Sequence, residues 1–146
     1  MLNFLNNEEV FKYIKKKFSA GNKLILIRGS TATAQANKFS DFDIEVFGSK
    51  PKKPDYEIAF IKEQPVLITA YYYKYRAGEE TQEPTNVKII LGRYNENVEK
   101  SIKDSSKEVY TSKQKIKREV QLAIDSFFKY LRTNNKEYLK PVQRRI

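Results

Sequence analysis

Apolar residues recur along the chain with two spacings, one typical of helices and the other typical of strands. Helical spacing places the apolar residues of 6–18 on one face and those of 112–133 in a wider stripe. Glu8 and Glu9 stand at the start of the first segment, where the helix dipole favours negative charge. The pattern therefore predicts an opening helix over 6–18, a short helix over 95–104 and a long closing helix over 112–133.

The segments between these helices have the composition of strands. A continuous apolar run within residues 23–29 predicts a strand that is buried on both faces. Residues 41–48 alternate instead between acidic and apolar side chains, so that the two kinds point to opposite faces of a strand. The apolar face is predicted to carry Phe42, Ile44 and Val46, and the acidic face Asp41, Asp43 and Glu45. Further strands are predicted over 56–61, 66–75 and 86–93, with a hairpin between the first two.

This order of elements predicts an α+β (α/β) fold, in which a mixed β-sheet of about four to five strands is covered by helices. We expect a core over residues 1–104 and a C-terminal helical extension over residues 105–146. The small polar residues of 31–40 predict a short helix or a loop between the first two strands.

Composition narrows the chemistry that the chain can perform. Its 146 residues include no cysteine and no histidine, which excludes disulfides, thiolate or imidazole zinc sites, and catalytic triads that need either residue. The groups that remain available for catalysis or binding are carboxylates, hydroxyls, amines and hard cations bound through oxygen. The formal charge of +10 favours a polyanionic partner, such as a nucleotide, a nucleic acid or an acidic protein.

Neither a membrane segment nor a secretory signal is predicted. No stretch approaches the ~20 apolar residues that a membrane helix needs. The first ten residues lack the basic start and the apolar run of a signal peptide. With no cysteine in the chain, the expected location is the cytoplasm, with no membrane partner.

One segment, residues 24–48, carries the candidate chemistry. A buried strand leads into Gly29-Ser30, and Asp41 and Asp43 follow about ten residues later at the start of the next strand. A glycine lets a phosphate approach the backbone, and a hydroxyl beside it can hydrogen-bond that phosphate. Carboxylates two residues apart on a strand share a face and can hold Mg²⁺ together with phosphate oxygens. These features suit attack on the α-phosphate of a nucleoside triphosphate.

The same segment resembles the signature of the DNA polymerase β-like nucleotidyltransferase superfamily, in which Gly-Ser is followed after about ten residues by Ser or Thr and then Asp-x-Asp. It is most similar to minimal nucleotidyltransferases and aminoglycoside adenylyltransferase-like proteins, and Ser40 before the acidic pair fits as well. The resemblance implies that Asp41 and Asp43 are catalytic and hold Mg²⁺ or Mn²⁺, and that Gly29 and Ser30 bind the nucleotide. A nucleoside monophosphate, from ATP as the first choice of triphosphate, would move to a hydroxyl or protein acceptor.

The chain departs from this pattern at one functional position. Members of the family place a third carboxylate on a later strand, where this chain offers Leu67, Thr69 or Lys88, depending on the alignment. Glu57 is the nearest acidic residue within a predicted strand, and Glu63 lies in the predicted hairpin. Loss of one of three carboxylates would weaken metal binding and remove the expected general base.

Two further residues of the segment have predicted roles. Glu45 shares the acidic face and is interpreted as the salt-bridge partner of a lysine rather than as a metal ligand. Arg28, just before the glycine, either steadies a phosphate or makes a structural ion pair.

Two alternatives to an enzyme stay open at this point. The first is a protein of the same fold that binds a nucleotide, a nucleic acid or a partner protein without turnover, as expected for antitoxin-like relatives that work beside a helical partner. The second is a basic nucleic-acid-binding module, which would leave the pair Asp41 and Asp43 unexplained.

Overall fold

Five strands form one mixed sheet in the order β3-β4-β2-β1-β5. The computed structural model describes residues 7–29, 32, 41–105 and 112–140. The strands are β1 (Asn22–Arg28), β2 (Asp41–Gly48), β3 (Asp55–Ile61), β4 (Gln64–Lys74) and β5 (Val87–Leu91). The helices are α1 (Asn7–Phe18), α2 (Val98–Asp104) and α3 (Ser112–Thr133), and a 3₁₀ turn at Lys136–Tyr138 follows α3.

The pairing of the strands determines which chain ends meet at which edge of the sheet. β2 and β4 are parallel, whereas the pairs β1–β2, β1–β5 and β3–β4 are antiparallel. The end of β1 and the start of β2 therefore lie at the same end of the sheet. The β3–β4 hairpin turns at Lys62 and Glu63, which both have positive φ, at 50° and 65°. Such a turn matches the twist of the two strands that it joins.

The two faces of the sheet are covered differently. The α1 face, which carries the apolar side chains of β2, packs against α1 in one continuous core. Val10 and Ile14 of α1, at most 1% exposed, lie in this core beside Ile25, Ile27 and other strand residues. Burial of these aliphatic side chains drives the docking of the helix on the sheet.

The opposite face, here called the α3 face, is covered by two separate helices. At one place Leu24, Leu26 and Phe47 pack with Val98 of α2. At another, Leu67 of β4 packs against Phe128 and Ile124 of α3, in a smaller cluster. The acidic side chains of β2 share this face with both clusters, because they alternate with the residues of the α1 face.

The predicted α+β fold with a mixed sheet is confirmed, and each predicted helix and strand is present to within a few residues. The segment 31–40 lies outside the described residues, apart from Ala32. A division of the chain after residue 104 stays a prediction. Among the described residues, no helix is both long enough and apolar enough to cross a membrane.

Candidate functional site

A row of three acidic side chains, Asp41, Asp43 and Glu45, projects from β2 onto the α3 face. Asp41 and Asp43 are exposed, whereas Glu45 is buried at 9% exposure. The alternation of a strand creates this carboxylate row, since every second residue points to the same side. Asp41 is the first residue of β2, so the exposed pair stands at the end of the sheet where β1 finishes.

The inner member of the row, Glu45, is neutralised by the protein itself. Arg28 Nη2 and Nε donate to the Glu45 carboxylate at 3.0 and 3.1 Å, and Arg28 Nη2 also donates to Glu99 Oε1 at 3.0 Å. The Tyr94 hydroxyl donates to the same Glu99 oxygen at 2.7 Å. Burial raises the pKa of Glu45, and the hydrogen bonds and charge of Arg28 oppose that rise.

The salt bridge predicted for Glu45 is present, but its partner is Arg28 and the prediction of a lysine was wrong. An arginine suits this place because its planar guanidinium can bind two carboxylates at once. Of the two roles considered for Arg28, the structure contains the ion pair, which ties β1, β2 and α2 together.

The outer members of the row are not neutralised in this way. Within the described ranges, neither Asp41 nor Asp43 has a lysine or arginine in ion-pair contact. Burial and the neighbouring charge of Asp41 raise the pKa of Asp43 to about 6, and Asp125 and Glu45 add to the rise. A hydrogen bond from Thr69 acts in the opposite direction. Because the Asp43 residue is also exposed, solvent screens the charge interactions that shift this pKa.

Thr69 of β4 occupies the strand position beside Asp43. The parallel register pairs Asp43 with Thr69 and Asp41 with Leu67. The Thr69 hydroxyl donates to Gln121 Oε1 of α3 at 2.8 Å, and Gln121 Nε2 donates to the Ile68 carbonyl at 3.3 Å. A hydroxyl has a single hydrogen, so Thr69 serves either Gln121 or Asp43 at a given moment. The neighbouring strand thus offers a hydroxyl where the family resemblance implies an acid.

The other candidates for the third carboxylate position lie elsewhere. Lys88 extends on the α1 face, where its Nζ lies 5.2 Å from the ring centre of Phe11. Glu57 lies on the same face, because it pairs with Ile68 in the register, and it accepts hydrogen bonds from Lys17 and from the Tyr13 hydroxyl. Glu63 is in the hairpin turn.

Lys88 and Glu57 therefore do not stand beside the acidic pair, because both lie on the α1 face. Buried Leu67 faces the α3 side as Thr69 does, but it packs against Phe128 and has no polar group to offer. Thr69 is the residue of the three candidates that lies next to Asp43.

Gly29 immediately follows β1, at the end of the sheet where β2 begins. Its φ of 95° is a backbone conformation that residues with a Cβ rarely adopt. Its N–H donates to the Asn86 carbonyl at 2.9 Å, and its carbonyl accepts from the Ala32 N–H at 3.1 Å. A Cβ added at Gly29 would meet no atom of the described residues within 4 Å, so this part of the chain leaves space beside the turn. Ser30 lies outside the described residues.

Helix α3 contributes two polar residues that the sequence analysis did not single out, Gln121 and Asp125. Asp125 Oδ2 lies 3.0 Å from Lys129 Nζ, whereas Asp125 Oδ1 is buried and has no hydrogen-bond partner. The signal was present in the sequence, because both polar residues fall on the side of the helix that also presents Phe128 to the sheet.

The residues of this site fit a divalent cation. Mg²⁺ is usually held by one or two carboxylates together with phosphate oxygens, and Asp41 and Asp43 supply such a pair. Burial and the charge of Asp41 raise the pKa of Asp43, whereas the carboxylate of Asp125 is paired with Lys129. Among the described segments, no three acidic side chains stand close enough to one another to hold a metal ion together.

Comparison with known proteins covers almost the whole chain. A family model described as "Nucleotidyltransferase domain" matches residues 8–138, a range that includes all five strands, α2, α3 and all of α1 except its first residue. A search of curated proteins found no match to the chain.

Proposed function

Because the chain belongs to the nucleotidyltransferase domain family, we propose that it transfers a nucleoside monophosphate from a triphosphate to a hydroxyl, using Mg²⁺ or Mn²⁺. ATP is the triphosphate that we propose first, and the acceptor is a small molecule or a protein. The observation that supports the proposal is the exposed pair Asp41 and Asp43, which carries unneutralised charge at the end of the sheet where Gly29 turns the chain. A cytoplasmic location belongs to the same proposal.

The reaction exchanges one phosphorus–oxygen bond for another. The acceptor oxygen forms a bond to the α-phosphorus, the bond from that phosphorus to the bridging oxygen breaks, and pyrophosphate leaves with the electron pair. The proton of the hydroxyl passes to a base or to solvent. Such transfers depend mainly on positioning and on stabilisation of developing charge. A divalent cation, which these domains generally use, would supply positive charge to the phosphates when bound.

The residues of this chain have distinct tasks in that scheme. Asp41 and Asp43 would hold the cation from the exposed end of β2. Thr69 can donate a hydrogen bond to Asp43 and thereby orient its carboxylate. The ion pair between Arg28 and Glu45 holds β1 against β2. The turn at Gly29, which follows β1, is thereby kept close to the acidic pair at the start of β2. In this proposal Gly29 and Ser30 contact the terminal phosphates.

The test uses nucleoside triphosphates labelled at the α-phosphate. The full chain is incubated with each of the four triphosphates, Mg²⁺ or Mn²⁺, and cell-extract fractions as acceptors. We expect transfer of label with at least one triphosphate and its loss in Asp43→Asn. Glu63→Gln is the matched control, since it neutralises an acid in the hairpin turn, away from the carboxylate row. Equal labelling by Asp43→Asn and the unchanged chain would overturn the proposal.

A second candidate function, partner binding without turnover, is favoured by the surface of α3. Four apolar side chains of this helix are strongly exposed at spacings that keep them near one face: Ile116 at 66%, Val120 at 52%, Phe127 at 42% and Leu131 at 44%. A contiguous exposed apolar stripe of this kind often marks a protein interface. If no acceptor is labelled and the chain forms a stable complex that Val120→Lys disrupts, the results would support binding of a helical protein partner instead of an enzyme.

Nucleic acid is the other partner that the charge of +10 allows. Binding through phosphate contacts would weaken steeply as salt increases. If binding of RNA or DNA shows this salt dependence and survives both Asp41→Ala and Asp43→Ala, the acidic pair has no part in it. That result would favour a nucleic-acid-binding module over nucleotidyl transfer.

A further inference from the structure

We propose that the outer edge of β3 binds an extended, acidic segment of a partner protein, which adds to the sheet as a further strand beside α3. β3 is the last strand on its side of the sheet, and among the described residues it pairs only with β4. This part of the chain therefore leaves the backbone N–H and C=O groups of the outer edge without a partner strand. The proposal does not depend on nucleotidyl transfer.

An apolar groove lies between β3 and the first half of α3, and its volume is about 260 Å³. Its lining residues are Tyr56, Ile58, Ile116, Lys117, Val120 and Gln121. Ile58 pairs with Leu67 in the register and so faces the α3 side, where it is 40% exposed, and Phe60 on the same side of the strand is 71% exposed. A strand added to β3 would point every second side chain to this side, so that apolar ones would cover Ile58 and enter the groove.

The free edge favours an extended segment over a helical one. A helix satisfies its own backbone hydrogen bonds and would use only the apolar side chains of the groove. An extended segment would use those side chains and also the backbone groups of β3, as in strand addition to exposed sheet edges. Two features that block such pairing, a proline and a bulge, are absent from β3.

Positive charge at the rim of the groove indicates that the segment is acidic. Lys117 lines the groove, and Lys113 lies one helical turn before it on the same side of α3. Both lysines are exposed, and neither forms an ion pair with a carboxylate of the described residues. A second copy of this chain fits poorly, because it would bring the same lysines and a net charge of +10.

A fluorescent peptide is the probe for this surface. It alternates valine with threonine in its centre and carries two glutamates at each end. The purified full chain is titrated into the peptide at about 0.15 M salt, where charges more than about 8 Å apart are largely screened, and fluorescence anisotropy reports binding. We expect saturable binding by the unchanged chain and by Asp43→Asn.

Two altered peptides test the chemistry of the segment. Replacing the glutamates by lysines should weaken binding about tenfold or more, because like charges would then meet at the rim. Placing two adjacent prolines at the centre should abolish binding. One of them must fall where the β3 edge needs an N–H donor, and proline has none.

Two pairs of variants test the residues of the groove, and circular dichroism verifies that each is folded. Lys117→Glu should weaken binding of the acidic peptide about tenfold and strengthen binding of the lysine peptide. Lys115→Glu is its control, since this residue lies about 200° around the helix from Lys117. Ile58→Thr should also weaken binding, whereas Leu131→Gln, which alters an exposed apolar residue about 16 Å beyond Val120 along α3, should not.

Amide hydrogen exchange followed by NMR shows whether the peptide adds as a strand. Binding should slow the exchange of every second amide of β3, those that do not bond to β4, by about tenfold or more. A helical ligand in the groove would cover side chains without protecting these amides.

The proposal is overturned if the acidic peptide does not bind, if the proline peptide binds equally well, or if exchange of the β3 amides is unchanged. It is also overturned if Leu131→Gln weakens binding as much as Ile58→Thr, because the exposed stripe of α3 would then be the binding surface. Sedimentation of the chain alone tests the remaining occupant, since a dimer that Ile58→Thr dissociates would assign the edge to a second copy. None of these results affects label transfer, so failure here leaves the proposed function standing.

Discussion

Glu57 on the α1 face and the pair Asp41 and Asp43 on the α3 face have opposite surroundings. On the α1 face, Glu57 is contacted by Lys17 and the Tyr13 hydroxyl, so that its charge is balanced locally. On the α3 face, Asp41 and Asp43 have no such cation among the described residues, and burial and mutual repulsion raise the pKa of Asp43. A chain of charge +10 has ample lysine and arginine to neutralise this pair. The pair Asp41 and Asp43 therefore differs from Glu57 and Glu45, whose charges the protein balances itself, and such a pair is typical of a functional site.

The largest effect is expected from removing the charge that distinguishes the α3 face. Asp43→Asn should reduce nucleotidyl transfer by about a thousandfold or more, since it removes one of two proposed cation ligands. The same variant should not lose stability in the absence of metal, because ionised Asp43 is repelled by Asp41. Label transfer and thermal unfolding measure the two quantities. If Asp43→Asn loses transfer because it unfolds, the prediction of a loss of activity without a loss of stability is contradicted.

Glu57→Gln supplies the counterpart on the other face. This variant leaves Lys17 and the Tyr13 hydroxyl without their charged partner, so we expect a loss of about 1 kcal/mol in the free energy of unfolding. Transfer by the folded protein should stay unchanged. A transfer defect as large as that of Asp43→Asn would show that the two faces do not differ in function.

The next largest effect concerns Arg28, which neutralises the inner end of the carboxylate row. Arg28→Met leaves buried Glu45 without its partner, and such a loss destabilises proteins by about 3 kcal/mol. Replacing Glu45 by Gln in the same chain should recover much of the loss, because the unpaired charge is then removed as well. Denaturant unfolding measures both variants. Additive effects of the two changes would contradict a direct pairing between these residues.

The pH dependence of cation binding is a smaller effect with a definite sign. With the pKa of Asp43 near 6, a proton competes with the cation below that pH, and Mn²⁺ affinity should fall about tenfold between pH 7 and pH 5. The apo protein should respond in the opposite direction. The pKa lies above the ordinary 3.8, so the contribution of Asp43 to stability decreases as pH rises from about 4 to about 6.

Titration of Mn²⁺ binding against pH, followed by unfolding curves across the same range, checks both signs. Asp43→Asn is the control, because it should remove the contribution of this group to the stability profile. A Mn²⁺ affinity that stays constant from pH 7 to pH 5 would contradict the role of Asp43.

Sequence patterns predicted the acidic face of β2 because strand alternation is a local property of successive residues. Asp41, Asp43 and Glu45 therefore appeared on one side before any tertiary contact was known. The residue beside Asp43 could not be predicted in the same way, since it depends on the parallel register of β2 with β4, two strands separated by β3. Leu67, Thr69 and Lys88 consequently stayed as alternatives.

The contribution of α3 depends on contacts that are still more distant in the sequence. Its apolar stripe predicted a helix and a buried side, but the pattern alone does not say which strand the helix crosses. The hydrogen bond from Thr69 to Gln121 and the packing of Phe128 on Leu67 show that α3 lies against β4. The partners of Arg28 could not be predicted for the same reason, because Glu45 and Glu99 come close to it only when β2 and α2 have both packed beside β1.

The smallest effects compare Gly29, next to the acidic pair, with Gly92, which follows β5 away from it. Both have positive φ, at 95° and 82°. A Cβ at Gly29 meets no atom of the described segments within 4 Å, whereas one at Gly92 would stand 2.1 Å from the Lys23 carbonyl oxygen. Gly29→Ala should therefore cost only about 1 kcal/mol of stability for its backbone conformation, and Gly92→Ala should cost more.

The two substitutions should affect nucleotide affinity in the reverse order, with Gly29→Ala weakening binding more than Gly92→Ala. If triphosphate approaches the free space beside Gly29, a methyl group there weakens binding even though the fold tolerates it. Gly92→Ala, despite its greater loss of stability, should bind nucleotide normally at temperatures where it is folded. Equilibrium binding of a labelled triphosphate to both variants measures this difference. If Gly29→Ala binds the triphosphate with unchanged affinity, the turn after β1 does not contact the nucleotide.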